Sequence, residues 1–205
     1  MEREVEERLI QLCRSELHLL ELIFKGFRTL KMEAIEEAER AIGEIRSELT
    51  DLTGFLIQKG STHTEGGRDW AKPYLSLSSI FERMLYNMEG MVDRLRAMVR
   101  QHILFSDRAV KEVNEVFQVA MDLLENLPDL IRTRNKFLAQ HIGEQVRSIL
   151  KIANGFSEAH EERLIQGICM PKSSPIYLGL LESLKGIIFH TLEVSGKLVS
   201  LPSDA

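Results

Sequence analysis

The chain has 205 residues, of which 44% are hydrophobic and 28% are charged. This length and composition are typical of a folded protein with a substantial core, and they exclude an intrinsically disordered chain. The formal net charge is −5 at pH 7, and no cluster of Lys and Arg alternates with aromatic residues. We therefore expect no nucleic-acid partner, because a phosphate backbone is bound mainly by positive charge.

The sequence predicts a cytoplasmic protein. Its apolar runs are far shorter than the ~20 residues that a helix needs to cross a bilayer. The amino terminus, Met-Glu-Arg-Glu-Val-Glu-Glu, lacks the basic and then apolar pattern of a signal peptide. The protein would therefore reach a membrane only by binding a partner. Cys13 and Cys169 lie among apolar residues without Cys-x-x-Cys spacing, so we expect two buried thiols that pack as small hydrophobic groups.

Apolar residues recur at alternating spacings of three and four, which is the period of amphipathic helices packed on one another. No segment alternates as a half-buried strand would. The predicted fold class is all-α, with helices at about 4–29, 33–59, 74–103, 107–132, 134–169 and 175–201. The clearest core stripes, in the second to fifth helices, are Ile35, Ala38, Ile42, Ile45, Leu49, Leu52 and Leu56; Phe81, Met84, Met88, Met91, Leu95 and Met98; Val110, Val113, Phe117, Ala120, Leu124, Leu127 and Ile131; and Ile142, Val146, Ile149, Ala153, Phe156, His160 and Leu164.

Capping and helix-breaking residues indicate where these helices begin and end. Lys59–Pro73 is polar and glycine-containing, which predicts a loop between the second and third helices. Ser106 is expected to cap the fourth helix, and Ser174 followed by Pro175 is a strong start signal for the sixth. Pro128 should end or kink the fourth helix near its carboxyl end.

The chain has two comparable halves. Helices one to three and four to six each end with a helix that a proline begins, in Pro73-Tyr-Leu-Ser-Leu and in Pro175-Ile-Tyr-Leu-Gly-Leu. This similarity predicts an internal duplication of about 100 residues. We therefore expect a single all-α domain over residues 1–205, with pseudo-repeats at about 4–103 and 107–201.

Glu89 and Asp93 form an acidic pair on the predicted third helix. They are four residues apart, so their carboxylates lie one turn apart on one face, away from the apolar stripe. Two such carboxylates can bind the same divalent ion, and this pair is the candidate metal site. The alternative is a solvated acidic face with Arg83 and Arg94 alongside.

Two tandem three-helix units, with Glu-x-x-x-Asp on the third helix of the first unit, resemble the PhoU family. The family includes phosphate-transport regulators and the cytosolic tails of sodium/phosphate cotransporters. Its motif is close to Leu-Glu-Arg-Ile-Gly-Asp, and this chain has Met88-Glu89-Gly90-Met91-Val92-Asp93 in its place. The resemblance covers about residues 15–200 and implies a six-helix PhoU-like bundle.

The same resemblance implies a role and a set of ligands. Some family members hold iron, magnesium, nickel or zinc on carboxylate patches, so a divalent metal ion on Glu89 and Asp93 is expected as the cofactor. The family damps phosphate uptake through a membrane phosphate transporter or its sensor kinase, and these are the expected partners. Two carboxylates do not distinguish magnesium, calcium, manganese or iron.

Both halves of the chain depart from the family pattern. In the second helix, Gly43 stands where an Asp would be expected, ahead of Ile45-Arg46-Ser47-Glu48. At most one of the two metal sites that the resemblance implies is therefore intact. Depending on the offset between the halves, Glu89 and Asp93 correspond to Phe189 and Glu193, His190 and Val194, Thr191 and Ser195, or Leu192 and Gly196, and none of these pairs is acidic.

Two histidines also have ligand chemistry. His160 lies on the apolar stripe of the fifth helix, which is typical of a neutral, hydrogen-bonded core histidine. As a metal ligand it would instead need convergent carboxylates, for which Glu158 and Glu193 are the candidates. His190 lies near Glu193 on the sixth helix, and His63 lies in the predicted loop.

No catalytic motif accompanies these residues. The chain lacks the Glu-x-x-His pairs of two-metal carboxylate bundles, a Gly-x-Ser-x-Gly nucleophile and a Gly-Lys-Ser/Thr phosphate loop. We therefore predict a protein that is not an enzyme but a PhoU-like regulatory or adaptor module of phosphate uptake. The alternative is a homo-oligomeric helical scaffold, because the same spacing also suits coiled-coil packing between copies of the chain.

Overall fold

The computed structural model describes residues 2–61 and 65–201, the side chains of 65–68 excepted. These residues are almost entirely helical, and they contain no strand. The all-α prediction is therefore confirmed. The helices are α1 (Glu2–Thr29), α2 (Met32–Ser61), α3 (Glu65–Arg100), α4 (Asp107–Glu125), α5 (Leu127–Thr133), α6 (Lys136–Ile165) and α7 (Ser174–Ser200).

The predicted fourth helix is divided into α4 and α5. Asn126 ends α4, and Pro128 occupies the first turn of α5, where its missing N–H is not needed. The predicted break at this proline is thus confirmed. Ser106 caps α4 as expected, because its Oγ accepts a hydrogen bond from the Ala109 N–H at 3.3 Å.

The predicted loop Lys59–Pro73 is wrong over most of its length. Helix α2 continues to Ser61, and α3 already begins at Glu65, so Pro73 lies inside a helix. The reason is tertiary: Ala71 is 3% exposed, and Trp70 packs against the hydrophobic core. Burial of these extra turns offsets the hydrogen bond that Pro73 cannot donate. His63, which we placed in this loop, lies outside the described residues.

Helix α6 ends at Ile165, four residues earlier than predicted. Gly167 has φ +71°, and the Ile168 N–H donates to the carbonyl of Arg163 at 2.9 Å while the Gly167 N–H donates to that of Leu164 at 3.1 Å. This is a Schellman motif, in which a residue with left-handed backbone ends the helix. Gly167 is a helix stop signal in the sequence, but the predicted helix followed the apolar period beyond it.

The predicted core stripes are buried within the chain. Only Ile42, Val110, Phe156 and Leu164 are partly exposed among the predicted core positions. One hydrophobic cluster contains side chains from all seven helices of the described chain. The stripes that could have served coiled-coil association between copies are therefore used in the molecule's own core.

The helices of each half pack on one another, and two central helices join the halves. Helix α2 lies between α1 and α3, α6 packs on α7, and α4 packs on α1, α6 and α7. The long helices α3 and α7 contact each other along their length. Within the described residues, no helix is long and apolar enough to span a membrane.

The two cysteines differ, contrary to the expectation of two buried thiols. Cys13 is 1% exposed, and burial raises the pKa of its thiol well above the usual value. Cys169 is only partly buried, because it follows the Schellman turn in the connection between α6 and α7. Only Cys13 thus behaves as a core residue.

Candidate functional site

Glu89 and Asp93 lie on the side of α3 that faces α2. Both line a surface depression of about 260 Å³, and Glu39 of α2 contributes a third carboxylate to it. The Glu89 side chain is 28% exposed, whereas that of Asp93 is 75% exposed. The structure thus brings the predicted pair together on one surface and adds an acid from the neighbouring helix.

Two arginines neutralise most of this charge. Arg46 of α2 forms a salt bridge with Glu89, and Arg96 of α3 forms one with Glu39 and another with Asp93 at 3.3 Å. Three carboxylates and two guanidinium groups leave one unbalanced negative charge on the depression. A divalent ion would compete with Arg46 and Arg96 for these carboxylates.

The expected arginine neighbours are wrong. Arg83 instead contacts Glu193 of α7 at 3.2 Å, and Arg94 donates to the Gly90 carbonyl at 2.6 Å. Arg46 was difficult to foresee because it belongs to another helix, whereas Arg96 lies three residues after Asp93 on α3 itself. Gly43 lies between Glu39 and Arg46 along the face of α2 that meets α3, and its missing side chain leaves open space there.

Metal ligation by this surface stays a prediction. The described part of the chain contains no group of three or more His, Cys, Asp or Glu side chains placed to hold a metal ion. Glu89 and Asp93 can therefore supply ligands, but water or a partner would have to complete the coordination shell.

The second half carries a different arrangement at the corresponding place. His190 Nδ1 lies 2.6 Å from Glu193 Oε2, and the Arg83 guanidinium contacts the same oxygen from α3. Burial would raise the pKa of the Glu193 carboxyl, but hydrogen bonds from His190 and Arg83 bring it below its usual value. Glu193 is thus held as a carboxylate by partners from both halves.

His160 is a core residue, as the apolar stripe predicts. It is 2% exposed, its Nε2 lies 2.9 Å from Ser174 Oγ, and its ring stacks on Tyr177 with 4.3 Å between centroids. Burial, followed by the charge of Arg163, lowers the pKa of this imidazole, which keeps it neutral. Ser174 begins α7 as predicted, but its hydroxyl bonds His160 rather than capping the helix.

A buried polar cluster beside His160 escaped the sequence analysis. Glu112 of α4 is 5% exposed. Its carboxylate accepts two hydrogen bonds from Arg163 of α6, at 3.1 and 2.8 Å, and one from the Tyr177 hydroxyl of α7 at 2.5 Å. Arg108 donates a further bond at 2.9 Å. Three helices of the second half are thereby joined through one carboxylate.

The ionisation of this cluster is set by its hydrogen bonds. Burial would raise the pKa of Glu112, but the bonds from Arg163, Tyr177 and Arg108 lower it. Burial and the same carboxylate raise the pKa of the Tyr177 hydroxyl, so it remains a donor. The sequence did contain a sign of this cluster, because a charged residue lies on the buried face of each of two helices. Glu112 is three residues after Ala109, and Arg163 is three residues after His160.

The helix order and the packing of two halves through α3 and α7 define an all-α bundle with a PhoU-like fold. The particular structure that shows this is the phosphate transport system regulatory protein PhoU from Streptococcus pneumoniae. It matches with a TM-score of 0.83 over 97% of this chain and 93% of that chain. Sequence identity is 14%, so the similarity is one of fold. No protein-family model and no curated protein matches the sequence.

Proposed function

We propose that this protein is a cytoplasmic regulator of phosphate uptake that acts by docking on a membrane phosphate transporter or its sensor kinase. The observation that carries the proposal is the PhoU fold over 97% of the chain, since that fold is shared with a phosphate transport system regulatory protein. The predicted absence of catalytic motifs favours an adaptor over an enzyme.

Phosphate uptake in cells tests this proposal directly. Deleting the gene should increase the uptake of radiolabelled phosphate in phosphate-rich medium, because a damping interaction is lost, and the wild-type gene should restore the original rate. Crosslinking of the tagged protein in the same cells should capture a transporter subunit or a histidine kinase. Uptake that is unchanged by the deletion in both phosphate-rich and phosphate-poor medium would contradict the proposed function.

A divalent ion on Glu89 and Asp93 belongs to this proposal as a structural element that fixes helix geometry. Its support is the depression that both side chains line together with Glu39. Elemental analysis of the purified protein, and titration with magnesium, manganese and iron, should show binding that a Glu89→Gln, Asp93→Asn variant loses. Glu82→Gln is the matched control, because Glu82 is exposed on the same helix outside the depression.

Two further variants report on the same ion. Arg46→Gln should strengthen binding because it frees Glu89, and Gly43→Asp should strengthen it because it adds a carboxylate in open space between Glu39 and Arg46. Equal metal content in the wild-type protein and in the Glu89→Gln, Asp93→Asn variant would remove the metal from the proposal while leaving the regulatory role intact.

A further inference from the structure

Three helix connections meet at one end of the bundle. Phe105 lies between them, because its ring centroid is 6.0 Å from that of Phe27 in α1 and 5.8 Å from that of Tyr177 in α7. The connections are α1–α2 (30–31), α3–α4 (101–106) and α6–α7 (166–173). With the four residues on each side of every connection, they form a surface that we call the apolar end, which consists of residues 26–35, 97–110 and 162–177.

The apolar end exposes a group of large apolar side chains. Leu104, Ile168 and Met170 are 68%, 68% and 67% exposed. Ile165, the last residue of α6, is 87% exposed. These are four of the nine large apolar side chains that are exposed in the described part of the chain. Exposed apolar residues are normally scattered singly, and a group of them marks a surface that contacts a protein or a membrane.

The same end is positively charged, although the protein as a whole is acidic. Its charged residues are the bases Arg28, Lys31, Arg100, Arg108, Arg163 and Lys172 and the acids Glu33, Asp107 and Glu162. Six bases and three acids give a formal charge of +3, compared with −5 for the whole chain. The buried carboxylate of Glu112, which pairs with two of these arginines, lowers the charge to +2. The rest of the molecule is therefore negative, and this end is the positive one.

Three of the basic residues have no acidic partner. Lys31, Arg100 and Lys172 are exposed and form no salt bridge within the described residues. Their charges are thus not neutralised by the chain itself. Long basic side chains at the edge of an apolar surface can hold their charged groups in water or on an anion while the apolar neighbours lie deeper.

This combination of charge and apolar surface distinguishes the possible occupants. A second copy of the chain, joined end to end, would bring an equal positive charge against the first, and the two ends would repel each other. An anionic membrane surface attracts exposed Lys and Arg and also takes apolar side chains into the boundary between headgroups and acyl chains. No helix of the described residues could span a membrane, so the contact would be peripheral.

We propose that the apolar end binds an anionic membrane surface directly, with its four exposed apolar side chains in the lipid boundary and its three unpaired basic side chains on lipid phosphate groups. The sequence predicts membrane contact only through a partner, so this is a second and direct contact. It does not rest on the proposed regulatory role, because the charge and the apolar side chains are there whatever the protein regulates.

Flotation of the whole protein with protein-free vesicles tests this proposal. Vesicles of phosphatidylcholine with about one-third phosphatidylglycerol should carry the protein upward in a density gradient, and vesicles of phosphatidylcholine alone should carry at least about tenfold less. Raising the salt concentration from about 0.1 M to about 0.5 M should lower the bound fraction, because salt screens the attraction between exposed charges and lipid phosphates.

The three unpaired basic residues are removed together. The variant Lys31→Gln, Arg100→Gln, Lys172→Gln should bind anionic vesicles at least about tenfold more weakly, since each basic side chain near such a surface contributes a factor of about five. All three side chains are exposed, so the fold should be unaffected.

The matched control removes the same charge elsewhere. In Arg14→Gln, Arg147→Gln, Lys151→Gln, the three exposed residues lie in the middle of α1 and α6 and form no salt bridge within the described residues. This variant should bind anionic vesicles within about twofold of wild type, because these residues are outside the apolar end.

The apolar side chains have their own variant and control. Ile165→Gln, Ile168→Gln should also weaken vesicle binding at least about tenfold, because less apolar surface is removed from water. Phe137→Gln, at a side chain that is 83% exposed at the opposite end of α6, should bind as wild type does. Circular dichroism should show the same helix content in all of these proteins.

A fluorescent reporter shows which end meets the lipid. Ile165→Trp should give an emission that shifts to shorter wavelength when anionic vesicles are added, because the indole leaves water. Phe137→Trp should show no such shift. The native Trp70 packs on Tyr74, outside the apolar end, and gives a constant background in both proteins.

Several results would overturn the proposal. Anionic vesicles that do not bind the protein would do so, as would binding that the variants of the apolar end leave unchanged. If vesicles do not bind but Ile165→Gln, Ile168→Gln abolishes self-association in light scattering, a second copy covers this end. If vesicles do not bind but the same variant loses its crosslink to a transporter or kinase, a protein covers it. Because the vesicles contain no protein, a failure here leaves the proposed role in phosphate uptake standing.

Discussion

Two buried acidic residues, Glu112 and Glu16, differ in whether their carboxyl groups are charged. Glu112 has Arg163 and Tyr177 within hydrogen-bond distance, so its charge is stabilised and it holds three helices together. Glu16 is fully buried in α1, and neither of its carboxylate oxygens has a hydrogen-bond partner in the described residues. Burial, followed by the charge of Glu48, raises the pKa of Glu16 well above its usual value. Glu16 is therefore a neutral acid in the core.

This difference predicts how stability depends on pH. The pKa of Glu16 is higher in the folded than in the unfolded state. The contribution of its protonated carboxyl group to stability is therefore fully present below about pH 4.3, where both states are protonated. This contribution is lost as the pH rises toward the folded pKa, because only the unfolded state then ionises. The free energy of unfolding of the wild type should fall between pH 5 and pH 8 because of this ionisation. In Glu16→Gln the fall should be smaller by about 1 kcal/mol or more. Urea unfolding at the two pH values measures the effect.

The control for this prediction is Glu44→Gln, an exposed acid on α2, which should leave the wild-type pH dependence in place. If wild type and Glu16→Gln unfold with the same pH dependence, Glu16 does not ionise on unfolding as we infer.

Both acids were visible in the sequence as charges on apolar stripes. Their partners were not, because Arg163 is 51 residues and Tyr177 is 65 residues from Glu112. Helical period identifies which face a residue occupies, but the residue that it meets depends on how the helices pack. Sequence reasoning could therefore locate Glu16 and Glu112, but could not distinguish an unpaired acid from a paired one.

Whole helices are positioned by small residues as well as by apolar stripes. Where α3 crosses α7, the Arg94 side chain passes over Gly179, and that of Asn87 passes over Gly186. A Cβ atom at Gly179 would overlap the Arg94 side chain, and one at Gly186 would lie 2.7 Å from Asn87 Oδ1. Glycine lowers helix stability in general, so its use here reflects the close approach of two helices.

The crossing of α3 and α7 leads to a paired prediction. Gly179→Val should destabilise the protein by about 1–3 kcal/mol, since Arg94 must move from its place in the interface. Gly54→Ala, on an exposed helical surface with open space around the glycine, should instead stabilise it by about 0.5–1 kcal/mol. Denaturant midpoints measured under identical conditions compare the two. Stabilisation by both changes would show that the crossing does not require glycine.

At the scale of the molecule, the two halves share one core. Side chains from α1 and α3 are in the same hydrophobic cluster as side chains from α4 to α7. Arg134, which directly follows α5, forms a salt bridge with Glu6 of α1 at 2.8 Å. Because the two halves share these contacts, unfolding one half removes contacts that stabilise the other. The internal duplication that the sequence predicts is therefore not expected to produce two independently stable units.

The shared core predicts a single cooperative unfolding transition. Trp70, the only tryptophan in the chain, lies in the first half and packs on Tyr74, so its fluorescence reports on α3. The urea transition followed by Trp70 fluorescence should coincide with that followed by far-ultraviolet circular dichroism, which reports on all helices. Separate midpoints for the two signals would mean that the halves unfold independently.

The sequence by itself determined the helical class, the core faces of the long helices and the placement of Glu89 and Asp93 on one face, because these follow from the local period of 3.6 residues. Tertiary structure decided the rest. Packing of Trp70 and Ala71 extended α3 through Pro73, Arg46 and Arg96 paired with the acidic face, and Glu112 met Arg163. Each of these features depends on contacts between segments that are far apart in the sequence. A local sequence pattern does not predict such contacts, because it carries no information on how the helices pack.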